Sequence, residues 1–364
     1  MEIFENHPLA PYTTIKIGGP ADTFISTSNP EEFLETLKRC IDNGANEANG
    51  AQRSEAISRQ ESSTGNSFAN YQSPITILGN GSNVLISDTG IRGTVIKNSS
   101  QSIEIIDTSP IPINFHHSYT QRNENEPDKY LDFSKIDYDE SSKEQVLVRI
   151  SSGTSLPFTI NSLIDKGITG LQWFAYIPGT VGGATYYNIH GGTYHFSDYL
   201  ESIEVFNLEN GQLETFLKKD LEWEYEKSFF QKHPNLIITF VTLRLFKGDS
   251  ALARQVYNAW IAQKVKVQPM NSAGSIFANP SLEISQKLWG EQKSTGWIID
   301  HELNWKDKQI GGAQISPLHS NFIINTGTAT AKNVSDLITE IKNEVQKRFN
   351  FTLHTEIKFL GDFK

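Results

Sequence analysis

The residues best placed to do chemistry lie in two glycine-rich loops. Gly79-Asn80-Gly81-Ser82-Asn83-Val84-Leu85 follows the apolar run Ile75-Thr76-Ile77-Leu78, and Ile177-Pro178-Gly179-Thr180-Val181-Gly182-Gly183-Ala184 lies about a hundred residues on. Glycine admits positive φ and lets the backbone approach a ligand closely, so successive N–H groups can converge on phosphate oxygens. Two such loops point to a diphosphate-bearing cofactor. Taken alone, the first loop also fits a Gly/Asn hairpin turn. Gly79 and Gly81 have the spacing of a dinucleotide fingerprint, but Val84 stands at the third glycine position and Val84-Leu85-Ile86 is β-prone. A Rossmann site needs that glycine and a helix start, so strand, loop, strand is expected instead.

Three blocks must position these loops. The first, residues 1–109, combines short strands (Thr23 to Thr27, Ile75 to Leu78, Thr94 to Lys97) with a helix from Glu31 to Asn43. Phe33, Leu37, Cys40 and Ile41 share one face of that helix, which makes core packing the expected role of Cys40. The second block, 110–248, starts a strand at Val146 to Ile150 and a helix at Ser155 to Lys166, with Ser155 or Thr154 as cap and Gly167 as stop. Asn210-Gly211 between Ser202 to Leu208 and Gln212 to Leu217 reads as a hairpin, and Leu236 to Phe246 as a closing strand. The third block, 249–364, opens with a helix to about Val267. It carries another at Val334 to Phe349, whose stripe of Val334, Leu337, Ile338, Ile341 and Val345 needs a flat partner. The final segment Thr355 to Phe359 alternates like a strand. Two polar stretches, 45–73 and 121–144, lack large apolar residues and are expected to loop out.

Bulk properties narrow the function. The chain has 364 residues, enough for two or three domains, and a formal net charge of −10. That charge argues against nucleic acid and against an anionic membrane surface. The start of the chain lacks the blocks of a signal peptide, and Leu236 to Phe246 is too short to span a bilayer, so a cytoplasmic location is expected. A single cysteine excludes an internal disulfide. The nine histidines show no pair at ligand spacing, so no structural metal is expected.

The motifs occur in one order: Tyr12-Thr13-Thr14-Ile15-Lys16-Ile17-Gly18-Gly19-Pro20-Ala21, the two glycine-rich loops, Ala273-Gly274-Ser275-Ile276-Phe277-Ala278-Asn279-Pro280, and Glu356 near the end. Together they resemble the UDP-N-acetylenolpyruvoylglucosamine reductase family over nearly the whole chain, apart from the two polar insertions. The resemblance implies an α+β fold, with a two-subdomain FAD-binding region of the vanillyl-alcohol-oxidase (PCMH) type and a C-terminal α+β substrate-binding domain. It implies FAD held by Gly79 to Leu85, Gly153, Ile177 to Gly179 and Val181 to Ala184. NADPH would be the electron donor, the UDP-sugar enolpyruvate the substrate, UDP-N-acetylmuramate the product, and the monomer the working form. Hydride addition to the enolpyruvyl double bond leaves charge on the adjacent carbon and its carboxylate, which must be stabilised and then protonated. By this resemblance Ser275 donates the proton and Glu356 assists at the carboxylate or relays protons. Tyr225, Ser228, Gly274, Asn279 and His319 contact the substrate.

One departure matters. Where the family pattern reads Tyr-Arg-x-Ser, with the arginine on the substrate carboxylate, this chain reads Tyr225-Glu226-Lys227-Ser228. Losing such a donor costs on the order of 3 kcal/mol, about a hundredfold in rate. Lys227, or Lys264 or Lys266, is the expected replacement charge; a solvated Lys227 is the alternative. Asn188-Ile189-His190-Gly191-Gly192-Thr193-Tyr194 also replaces the usual Asn-x-Gly-Ala-Tyr-Gly, and the short link from Phe246 to Ala251 points to the short-loop group of these reductases. Two other functions compete: an FAD-dependent oxidase of a small hydroxylated substrate, which the Ala-Gly-Ser motif disfavours, and a catalytically impaired flavin- or nucleotide-binding homologue, which Glu226 favours.

Overall fold

A computed structural model describes residues 2–50, 74–106, 140, 143–192 and 194–363, with the backbone alone for 42–50. Three sheets carry the architecture. In the first, strand order is Glu2–Pro8, Pro20–Thr27, Ile91–Asn98, Ile75–Leu78, the first pair antiparallel and the rest parallel. The helix Pro30–Gly50 packs on it through Phe33, Leu37 and Cys40, which meet Ile96 and Phe206. Burial pushes the Cys40 thiol up to about 11, so it packs as a small apolar group. The helix runs past Asn43 into the polar stretch expected to loop out from 45. The rest of that stretch lies outside the described residues.

The second sheet is antiparallel, in the order Gln212–Leu217, Leu200–Asn207, Leu236–Lys247, Gln145–Ser151, Ile103–Ile106, with Ile168–Thr169 also on Leu236–Lys247. The expected hairpin is there, with Gly211 at φ +70°. The helix Leu156–Ile164 starts after Ser155, but neither Ser155 nor Thr154 caps it; the Thr154 hydroxyl instead accepts from Ser102 N at 3.2 Å. Most of 121–144 lies outside the described residues. Its Glu140, however, is 5 % exposed and accepts from Gln172 Nε2 at 2.8 Å, so this end of the stretch is tied inward. The helix Ser250–Val267, expected to open the third block, buries Ala253, Val256, Tyr257 and Trp260 in the core of the second.

The third sheet runs Ser272–Ser275, Phe322–Asn325, Ala313–Ile315, Gln309–Ile310. Against it the helix Ala331–Phe349 buries the expected stripe of Val334, Leu337, Ile338, Ile341 and Val345. Full burial of each such side chain is worth about 1.5–3 kcal/mol, which fixes the helix on that face. Asp88, from the first block, accepts from Ala331 N at 2.7 Å and Lys332 N at 2.9 Å at the start of this helix. The expected last strand is shorter and later. Only Lys358–Leu360 is strand, and it pairs in parallel with Val84–Ile86 rather than within the third block. The chain's end therefore returns to the first glycine-rich loop. Among the described residues no helix is long and apolar enough to cross a membrane.

Candidate functional site

The two glycine-rich loops touch. Asn80 Nδ2 donates to Gly179 O at 3.0 Å and Ser82 Oγ to Pro178 O at 3.2 Å. Thr14, from the Tyr12-Thr13-Thr14 segment, fixes the first loop to the third sheet: its N–H donates to Gly81 O at 3.1 Å and its hydroxyl to Ser272 O at 2.6 Å. Gly81 sits at φ +59°, and a β-carbon there would lie 2.3 Å from Tyr12 O, so glycine is required on both counts. Among the described residues the amides of Asn80, Gly81, Ser82 and Asn83 donate to no protein acceptor. They are left available to a ligand in the cavity.

The second loop works differently. It opens the helix Val181–Tyr187, and its amides are spent on the protein: Val181 N on Thr154 O, Gly182 N on Ser152 O, Gly183 N on the Thr180 hydroxyl, Ala184 N on Thr180 O. A β-carbon on Gly182 would fall 2.7 Å from Ser152 Cβ. Gly182 thus serves close packing beneath the cavity, while Gly179 and Gly183 have room and line it.

Both loops wall a cavity of about 980 Å³ that also reaches Tyr187, His190, Glu226, Ser275 and Glu356. Such a volume and such a donor set fit a dinucleotide. Ser275 is delivered by a break in register: Ser272 faces Ile324 while Ser275 faces Phe322, with Gly274 at φ +85° between them. That bulge turns the hydroxyl out of the sheet. Glu356 is anchored by its backbone, N to Ile276 O at 2.9 Å and O from Asn83 Nδ2 at 3.2 Å, so it links the Ser275 strand to the first loop.

Glu226 is the second residue of the turn Tyr225-Glu226 between Trp223–Glu224 and Lys227–Ser228, at φ +54°. The turn is clamped: Asn188 Nδ2 donates to Glu224 O at 2.8 Å and Gln231 Nε2 to Glu226 O at 3.1 Å. Its carboxylate lies 3.2 Å from His190 Nδ1 and shares a hydrogen bond with Glu356. Burial, the hydrogen bond to Glu226 and the charge of Glu226 push Glu356 far above the ordinary carboxyl range, up to about 10. Burial opposes ionisation of Glu226 too. The hydrogen bonds from His190 and Glu356, with the charges of His190 and His195, outweigh it and hold Glu226 below its ordinary value. The pair keeps one proton between them, on Glu356.

Of the residues expected at the site, Gly79 to Val84, Ile177 to Gly179, Gly182 to Ala184, Gly274, Ser275 and Glu356 line the cavity. Leu85 and Val181 are buried behind it, and Gly153 packs against Asn98. Ser228 is 4 % exposed and donates to Tyr186 O at 2.6 Å, holding the turn. Tyr225 lies outside the wall, its hydroxyl 3.4 Å from His190 Nε2. Asn279 accepts from Thr295 N at 2.9 Å, His319 Nδ1 from Asn321 N at 3.2 Å, and neither reaches the cavity. Lys227 does not reach it either: its ammonium is exposed and pairs with Glu224 at 3.0 Å, because alternate strand residues point to opposite faces. Lys264 lines the cavity with its ammonium over the Trp260 ring at 5.1 Å; Lys266 does not line it. Tyr187, His190 and Lys358 are in the wall without having been expected there. His190 had one sequence signal, its place in the altered segment 188–194.

Comparisons with known proteins agree with this geometry. The family model for the C-terminal domain of UDP-N-acetylenolpyruvoylglucosamine reductase matches residues 265–360. Proteins of that name from Lachnoclostridium phytofermentans and Bacillus subtilis are 30 % and 29 % identical to the chain, the alignments covering 98 % and 99 % of it and 92 % and 94 % of the relatives. The crystal structure of UDP-N-acetylenolpyruvylglucosamine reductase (MurB) from Thermus caldophilus superposes with a TM-score of 0.64 at 26 % identity, covering 99 % of this chain and 98 % of that one.

Proposed function

The chain belongs to the UDP-N-acetylenolpyruvoylglucosamine reductase family, and from that premise we infer that it is an FAD-dependent oxidoreductase that uses NADPH to reduce the enolpyruvyl group of UDP-N-acetylglucosamine enolpyruvate to UDP-N-acetylmuramate. The observation that carries this reading is the joining of the two loops to Ser275 and Glu356 around one cavity. When bound, the flavin supplies the hydride. The amides of Asn80 to Asn83 would hold its diphosphate, and the bonds from Asn80 and Ser82 to the second loop keep the two loops together. Ser275, turned out by the Gly274 bulge, gives its proton to the carbon beside the substrate carboxylate, where charge develops. Glu356, bonded through its backbone to Ile276 beside Ser275, meets that carboxylate. Tyr187, whose hydroxyl is held neutral by burial and by Tyr186 nearby, supports the ring side of the cavity.

The division of labour follows the packing. The FAD-binding region runs to about residue 265, because the helix Ser250–Val267 packs on its core, and the substrate-binding domain follows. The protein acts in the cytoplasm as a monomer, with small molecules as its only partners, a reading supported by the net charge of −10. The test is anaerobic: NADPH should bleach the bound flavin, and the enolpyruvyl sugar nucleotide should then restore its absorbance. Bleaching without restoration would make the protein an impaired homologue, and fast restoration by oxygen alone would make it an oxidase.

A further inference from the structure

Glu226 replaces the arginine of the family pattern with an acid that faces another acid. Two carboxyl groups in hydrogen-bond contact cannot both be ionised, so the pair must retain a proton. The surroundings decide which of them keeps it. Glu226 has the His190 ring at 3.2 Å on one side, and that ring is held in turn by Tyr225, its centroid 4.9 Å away. His195, across the two-residue ladder from His190, adds to the favourable field on Glu226, while Asp198 faces His195. Glu356 has Glu226 as the charged group against it. The lysines of the wall have other partners: Lys358 Nζ donates to the Tyr186 hydroxyl at 2.9 Å, Lys16 Nζ to Pro11 O at 3.1 Å, and Lys264 lies over Trp260. A non-glycine residue at positive φ is strained, by on the order of 1–3 kcal/mol, and here three side chains clamp the turn that imposes it. The clamped turn carries the carboxylate that shares a hydrogen bond with Glu356.

We propose that Glu226 and His190 are positioning residues that hold Glu356 as a neutral carboxylic acid, so that Glu356 donates a hydrogen bond to the substrate carboxylate in the place of the missing arginine. A neutral acid kept protonated in an enclosed site is an effective donor toward developing negative charge. It avoids the repulsion that two ionised glutamates would present to an anionic substrate. This rests on the functional reading above.

Infrared difference spectra of the purified holoprotein test it without turnover. At pH 7.5 a protonated-carboxyl stretching band, shifted in deuterium oxide, is expected in the wild type and should be absent from Glu356→Gln. In Glu226→Gln the amide can donate to Glu356 and the charge against it is gone, so the band should disappear at a lower pH than in the wild type. The anaerobic rate of flavin reoxidation by the enolpyruvyl sugar should fall about tenfold to a hundredfold at pH 8, its alkaline limb moving to lower pH, while reduction by NADPH stays within twofold. His190→Gln should shift the limb in the same direction by less, and serves if Glu226→Gln does not fold. A band and an alkaline limb unchanged in these variants would overturn the proposal. If the wild type were never reoxidised by the substrate, the functional reading would fail, while the infrared band would still decide where the proton sits.

Discussion

Asn80 and Gly179 stand 99 residues apart and are joined by a 3.0 Å hydrogen bond that closes one glycine-rich loop on the other. The Asn80 side chain thus ties the two loops into one wall of the cavity. Asn80→Ala removes a bond worth about 0.5–1.5 kcal/mol and lets the loops part. FAD affinity, followed by recovery of flavin fluorescence on dilution, should weaken by about threefold to tenfold, and the melting temperature of the apoprotein should fall by about 1–5 °C. An unaltered affinity would mean that the loops are held together by other means.

Gly182 tests the other half of the cradle. Its added β-carbon would collide with Ser152 at both Cβ and the carbonyl oxygen, 2.7 and 2.8 Å away. Overpacking of this kind costs about 1–3 kcal/mol. In Gly182→Ala the melting temperature should drop by several degrees, since about 1 kcal/mol moves a domain of this size by ~2–4 °C. Gly183→Ala is the control, because its β-carbon would meet the Thr180 hydroxyl only at 3.5 Å. Equal effects of the two changes would refute the packing argument.

Lys227 was the sequence's first candidate for the missing positive charge, and the structure turns it to the solvent side with Glu224. An exposed pair of this sort contributes about 0–1 kcal/mol. Lys227→Ala should therefore leave stability and flavin reoxidation by the enolpyruvyl sugar within about twofold of wild type. A drop of tenfold or more in single-turnover stopped flow would restore the lysine to the site.

Much of the scaffold was legible because it depends on local signals. The stripe from Val334 to Val345 and the hairpin around Gly211 rest on periodicity and on turn chemistry, and both are found where those signals put them. What escaped depended on long-range contacts. The pairing of Lys358–Leu360 with Val84–Ile86 carries Glu356 across the molecule, and no alternation of side chains announces which sheet a short strand will join. How the second loop spends its amides was hidden for a related reason. Glycines that cradle a phosphate and glycines that admit a neighbouring backbone look alike in sequence, and only the bonds from Val181 and Gly182 to Thr154 and Ser152 separate them. Glu226 was visible as an absence of arginine, but its partner His190 belongs to a segment whose fold the sequence did not determine.

Ser275 offers the sharpest separation of the two half-reactions. Its hydroxyl reaches the cavity only because the strand bulges at Gly274. Ser275→Ala keeps the bulge and removes the proton. Reduction of the flavin by NADPH should proceed at the wild-type rate, and reoxidation by the enolpyruvyl sugar should slow by about 10²–10⁴-fold. Equal slowing of both phases would show that the substitution disturbs the cavity and not the proton.

Glu356 makes stability depend on pH in an unusual direction. In the unfolded chain this carboxyl ionises near its ordinary value of 4.5, whereas burial and Glu226 keep it protonated in the fold up to about 10. Between those limits the native state binds more protons than the unfolded one, so this residue costs stability increasingly as pH rises. Glu226 has the opposite sign, with a depressed native value, and its contribution is lost only on acidification below the ordinary carboxyl range. Glu356→Gln removes the first contribution while its amide can still donate to Glu226. Relative to wild type, the variant should therefore gain melting temperature progressively from pH 5 to pH 9, by several degrees at the alkaline end. A difference that stays constant over that interval would show that Glu356 ionises at the same pH in both states.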